Sequence, residues 1–173
     1  YCMDKLCQAG DVDGERYRLA AQKVKNSIND ILWDEQKGYY VNYVDGDFIE
    51  DNLSVDTVLV YLFGISNEVR SNRMLDAMEN LLETKNNQLQ EAGDYGVMCV
   101  YPFYKGVYSS YGKSSQDYEY HNGGNWPYWS AIYAYAKFLA GREWRYALES
   151  WFVYNLERGI FTPVEYFSPC RKS

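Results

Sequence analysis

This chain of 173 residues has a single histidine, four cysteines and four prolines. Cys2, Cys7, Cys99 and Cys170 form no Cys-x-x-Cys pair and have no histidine beside them, which argues against a zinc site. Their even number leaves a disulfide open, with a reduced, cytoplasmic setting as the default expectation. Asp11-Val12-Asp13-Gly14-Glu15 opens like a calcium loop but lacks the later ligands and the closing bidentate glutamate, so it reads as a helix start. No metal and no cofactor are expected. Long apolar runs are missing too. None approaches the ~20 residues that a membrane-spanning helix requires, and no signal peptide is visible. Positive charge is thin, with 17 Lys and Arg against 24 Asp and Glu and a net charge of −7. A phosphate backbone would find little to bind, so neither nucleic acid nor a membrane is an expected partner.

What the chain has in excess is aromatic surface: 18% of its residues, with 19 tyrosines and 5 tryptophans. Apolar rings with polar tips suit a wet cleft that stacks on a flat ligand, and equally a tyrosine-rich helix interface. The length fits one domain over 1–173 with a real core. The chain opens at Tyr1 without an initiator methionine and stops at Ser173 just after a turn rich in proline. It therefore reads as a piece of a longer protein, cut at both ends.

Periodicity places the helices. Tyr17, Ala21, Val24, Ile28 and Ile31 form one stripe of a helix from about Gly14 to Trp33. Alternation in Tyr39–Val44, followed by Asp45-Gly46, predicts a small β-hairpin. Ser54 can cap a helix carrying Val55, Val58, Leu59 and Leu62 that ends at Gly64. Ser66 can cap the next, with Met74, Leu75, Met78, Leu81 and Leu82 as its stripe. Pro127 opens a helix that is apolar nearly all round and closes at Gly141. The last runs from Glu143 to Arg158 with Trp144, Leu148, Trp151 and Phe152 on one face. The short links "GIS" and "GRE" predict antiparallel pairs. The fold class expected is all-α, built of antiparallel helical hairpins with the small β-hairpin. About 40 residues, Glu83 to Asn125, separate two of the helices. They hold Tyr95, Tyr101, Phe103, Tyr104, Tyr108, Tyr111, Tyr118 and Tyr120, a composition that predicts a packed binding loop rather than disorder.

Two stretches concentrate chemistry: "YHNGGNWP" at Tyr120–Pro127 and "PVEYFSP" at Pro163–Pro169. With "LWDEQKGYYVNYVDGDFIEDNLSVDTVLVYLFGIS" at Leu32–Ser66, they resemble the C-terminal part of the six-hairpin glycosidases. That superfamily includes amylo-α-1,6-glucosidases, processing α-glucosidases, trehalases and α-L-rhamnosidases, and the first two are the nearest in kind. The resemblance covers most of the chain. It implies part of an (α/α)6 toroid, an oligosaccharide or polysaccharide substrate, and inverting hydrolysis by two carboxylates. The matching position for the general base is Glu165, while the acid is implied to lie upstream of Tyr1.

The residues can be weighed for the same chemistry. An inverting base deprotonates a water that sits between two carboxylates ~6.5–9.5 Å apart. Glu165 lies in a turn stiffened by Pro163 and Pro169 and dried by Tyr166 and Phe167, which suits a base, and Tyr166 can orient it. A surface glutamate in a proline-rich turn is the plain alternative. Tyr120, His121, Asn122, Gly123, Asn125, Trp126 and Tyr166 are the candidate substrate-binding residues. Asn122 and Asn125 can donate and accept as a polyol demands, Gly123 permits close approach, and Trp126 offers a face to a pyranose ring. His121 can serve as a structural histidine instead, and Trp126 as a helix staple. Asp117 and Glu119 are substitutes for the acid, whereas Asp56 and Asp94 read as capping or solvated. Two competing readings are a toroidal polysaccharide lyase, which needs more cationic charge, and a non-catalytic helical-repeat module that binds through exposed apolar grooves.

Overall fold

A computed structural model describes residues 1–104 and 116–169, so Tyr108, Tyr111 and Cys170 lie outside the described residues. Helix α1, Cys2–Gln8, was not signalled by any stripe and packs on α2, Gly14–Ser27. The α2 stripe continues into a wider π-helical turn, Ile28–Leu32, and ends where Trp33 turns extended, close to the expected boundary. Trp33–Asp34 (β1) then pairs with Tyr39–Tyr40 (β2). Tyr43–Asp45 (β3) pairs with Phe48–Glu50 (β4), so the hairpin turns at Gly46-Asp47, one residue later than Asp45-Gly46 predicts. Gly46 takes the left-handed φ of +57° that such a tight turn needs.

The helix expected after Ser54 is short. A 3-10 turn, Val55–Val58, runs into a single α turn, α3, Leu59–Leu62. Ser54 bonds the Asp56 carboxylate instead of capping with its side chain. Helix α4, Glu68–Leu81, is capped by Asn67 rather than Ser66, because the Asn67 side chain accepts the Arg70 N–H at 2.9 Å. Its stripe behaves as expected, with Met74, Leu75, Met78 and the following Leu82 fully buried. Helix α5, Pro127–Leu139, starts on its proline and packs on α6, Arg145–Glu157. The face that α6 turns inward carries Ala147, Trp151 and Tyr154; of the predicted face, Trp144 and Trp151 pack inward, whereas Leu148 and Phe152 are 38% and 52% exposed.

The all-α expectation is corrected by the structure. Among the described residues 47% are helical and 13% lie in strands, arranged as six helices and three two-stranded antiparallel sheets, a mixed α and β fold. The physical reason is where the links run. Leu53, Val97 and Val100 belong to connecting segments, yet each is at most 1% exposed. Buried backbone needs partners, and neighbouring links supply them. Leu53–Ser54 (β5) pairs with Val100–Tyr101 (β6), and Glu83 bridges to Val97. Of the packed segment expected over 83–125, Glu83–Thr84 and Tyr95–Val100 form an interior ladder, whereas the stretch between them, with Leu89 76% exposed, lies at the surface.

A buried ion pair ties this ladder to α5. Lys137 and Glu83 are 2% and 1% exposed and in direct contact, with Tyr133 donating to Glu83 at 3.2 Å and Glu79 3.3 Å from the ammonium. Among the described residues no helix is long and apolar enough to cross a membrane.

Candidate functional site

Four chain segments lie side by side at the N-terminal end of α5. The Val55 N–H donates to Cys99 O at 2.8 Å, and the Cys99 N–H donates to Gly124 O at 3.0 Å. Asn125 and Phe167 exchange both backbone bonds, each 3.0 Å. This last pair seats the 163–169 turn beside the Tyr120–Pro127 stretch, some forty positions away in sequence.

Above the floor stands a cluster of rings. His121 is stacked on Trp126 with centroids 4.7 Å apart and planes 3° from parallel, and Trp126 is stacked on Tyr166 at 5.4 Å. Tyr120 meets His121, Trp126 and Tyr166 at 4.1, 4.9 and 4.9 Å. The indole N–H of Trp126 donates to Tyr120 O at 3.0 Å. The pyranose contact expected on Trp126 therefore competes with an imidazole already lying on that ring.

The loop that carries these rings is strained. Tyr118 and Tyr120 have φ of +72° and +41°, a conformation disfavoured for side chains other than glycine, and such strain clusters at functional sites. The turn is held by Tyr118 N–H to Asn122 O and Asn122 N–H to Glu119 O, both 2.7 Å. It sends the Tyr118 ring inward onto Phe103 at 4.6 Å and leaves His121 exposed.

The candidate residues divide into two groups. Tyr120, His121, Trp126, Glu165 and Tyr166 come together at the surface, with Glu165 and His121 exposed and the other three half-buried. Asn122, Gly123 and Asn125 turn into the protein. Asn122 accepts the Tyr104 N–H at 2.8 Å, and its amide nitrogen is buried with no protein partner among the described residues. Gly123 has φ +103°, and a Cβ there would overlap the Phe103 ring. Asn125 bonds Tyr95 O and Ser130. Of the other acids, Asp117 is exposed and Glu119 half-buried on the strained turn. Asp56 is held by Ser54, while Asp94 accepts from the Tyr146 hydroxyl at 2.6 Å.

The electrostatics follow from burial. Stacking shields one face of His121 from water and lowers its pKa, partly offset by the negative charge of Glu165. Cys99 lies under the loop, its thiol donating to Tyr120 O at 3.3 Å, and burial pushes its pKa up to about 12. Burial likewise raises Tyr104 to about 12. Cys99, Phe103 and Tyr104 are supports that the sequence did not single out. The two aromatics belonged to a conspicuously tyrosine-rich stretch, whereas Cys99 carried no signal. Among the described residues no group of three His, Cys, Asp or Glu side chains could hold a metal ion.

Comparison with known families adds to this geometry. The sequence model of the family described as amylo-alpha-1,6-glucosidase matches residues 2–158, a span that includes the ring-bearing loop and stops before Glu165. No curated protein matches the chain. The match covers well over half of the chain and agrees with the motifs at Tyr120–Pro127. The chain belongs to the amylo-α-1,6-glucosidase family, and its function is related to glycosidase action on carbohydrate.

Proposed function

We propose that the protein hydrolyses α-linked oligosaccharides with inversion at the anomeric carbon, with Glu165 as general base. The observation that carries this reading is the paired backbone bonding of Asn125 and Phe167, which brings Glu165 to the ring cluster. Glu165 is open to water, as a residue that must recruit and deprotonate a water needs to be. Its charge reaches His121, whose depressed pKa favours a neutral imidazole able to donate to one sugar hydroxyl and accept from another. Tyr120 and Tyr166 add apolar faces with polar tips. Trp126 supports His121 and Tyr166 from beneath. Asn122, Gly123 and Asn125 shape the loop, and the general acid comes from a hairpin preceding Tyr1.

The test is Glu165→Gln in the full-length protein, together with the anomeric form of fresh product by NMR. Turnover is expected to fall about 100- to 10,000-fold with substrate binding largely kept. The first product is expected to carry the inverted configuration. Near-normal turnover removes Glu165 from the base role, and a retained anomer removes the inverting mechanism. A second reading, a non-catalytic binding module, draws on α5 and α6, where Tyr135, Phe138, Leu139, Phe152 and Val153 are about half exposed. It predicts no turnover to lose in Glu165→Gln.

A further inference from the structure

We propose that Asn125, rather than touching sugar, is a positioning residue that fixes where Glu165 stands against the ring cluster. The inference rests on the reading of Glu165 as base. Asn125 is fully buried, and both ends of its amide are engaged: the nitrogen donates to Tyr95 O at 3.1 Å and the oxygen accepts from the Ser130 hydroxyl at 3.2 Å. Each anchor is itself fixed. Ser130 sits in the first turn of α5, its N–H donating to Trp126 O at 2.9 Å. Tyr95 is 1% exposed, its N–H donates to the Thr84 hydroxyl oxygen at 2.9 Å and its own hydroxyl donates to Gly123 O at 2.7 Å. Gly96 closes the remaining space, since a Cβ there would stand 2.6 Å from the Asn125 amide nitrogen. An amide held this tightly cannot slide along its ladder.

The consequence is transmitted through the main chain. Among the described residues, the two bonds between Asn125 and Phe167 are the only backbone bonds that join the 161–169 segment to the rest of the protein. Phe167 is 8% exposed and its ring stacks on Tyr154 at 5.1 Å, so the anchor is also packed. Glu165 lies two residues before this anchor and is itself exposed. Its position is inherited from Asn125. A general base must hold its water in line with the anomeric carbon, and a displacement near 1 Å can cost on the order of 100-fold in rate.

The chain supplies its own reporter. His121 is the single histidine, and the charge acting on it is that of Glu165. Asn125→Ala is expected to lower kcat on the order of 10- to 100-fold with KM little changed. It should also lower the His121 pKa toward the value in Glu165→Gln, read by NMR titration. Ser130→Ala removes one of the two amide bonds and should move both quantities the same way by less. It decides the matter where Asn125→Ala does not fold. Wild-type kcat and an unmoved His121 titration in the folded variants overturn the proposal. Full activity in Asn125→Ala beside an inactive Glu165→Gln overturns positioning alone. Normal turnover in Glu165→Gln overturns the base reading instead, and leaves the clamp to be judged by the titration.

Discussion

The N-terminal helical pair and the interior ladder make opposite use of their sequences. The stripe that runs through α2 into the following turn is the clearest in the sequence, yet its Val24 and Ile31 are 51% and 59% exposed, and Gly14 is the only buried residue of α1 and α2. The stretch Tyr95–Val100 has no helical stripe, yet Tyr95, Val97, Met98, Cys99 and Val100 are all at most 7% exposed. Periodicity reports which face of an element is apolar, not whether anything covers it. Burial here follows the backbone ladder, and so does the site.

That contrast can be broken by substitution. The largest effect is expected at the ladder's tie to α5. Lys137→Ala leaves the buried Glu83 carboxylate with only the Lys85 ammonium, 3.4 Å from its other oxygen, and thermal or urea unfolding should show a loss toward the lower end of about 3–5 kcal/mol. A loss below ~1 kcal/mol would mean that water reaches the pair and that the ladder is less interior than described.

A smaller effect is expected on acidification. His121 has its pKa lowered in the folded state because stacking on Trp126 disfavours the imidazolium. The folded protein therefore binds fewer protons than the unfolded chain below the ordinary imidazole value. The contribution is fully present above that value and is lost as pH falls through the folded one. His121→Gln should flatten the melting-temperature profile at and below the ordinary imidazole value of about 6.5. An unchanged slope would mean that the stack does not shield the ring. The smallest effect belongs to α2, where Val24→Ser on the stripe should change stability by no more than about 0.5 kcal/mol. A loss of several times that amount would show that this stripe is covered after all.

Much of the helical layout was legible. The α4 stripe and the Pro127 start are seen as the sequence predicts, and the α2 boundary falls close by, because each rests on local spacing or backbone sterics. The β content was not. Strands of two residues, such as Leu53–Ser54 and Val100–Tyr101, are too short to show a period, and their pairing is set by segments far apart in sequence. The cap at α4 moved from Ser66 to Asn67 because either residue type can accept the amide and only the backbone angle chooses. At the site, the Asn125–Phe167 backbone pair joins the Tyr120–Trp126 loop to the Glu165 turn, with Glu165 itself exposed. The division of labour was hidden. Asn125 and Trp126 are adjacent in sequence, but the first is fully buried while the second stays half open. Residue type alone cannot separate a sugar ligand from a buried clamp, since both roles require an amide with donor and acceptor.

The central claim is that Glu165 and His121 face each other across a fixed floor. NMR titration of His121 in the wild-type protein and in Glu165→Gln tests it most directly. The account predicts that the imidazole pKa falls when the carboxylate is neutralised, because burial then acts unopposed. The same titration curve in both proteins would place the carboxylate elsewhere and contradict the account.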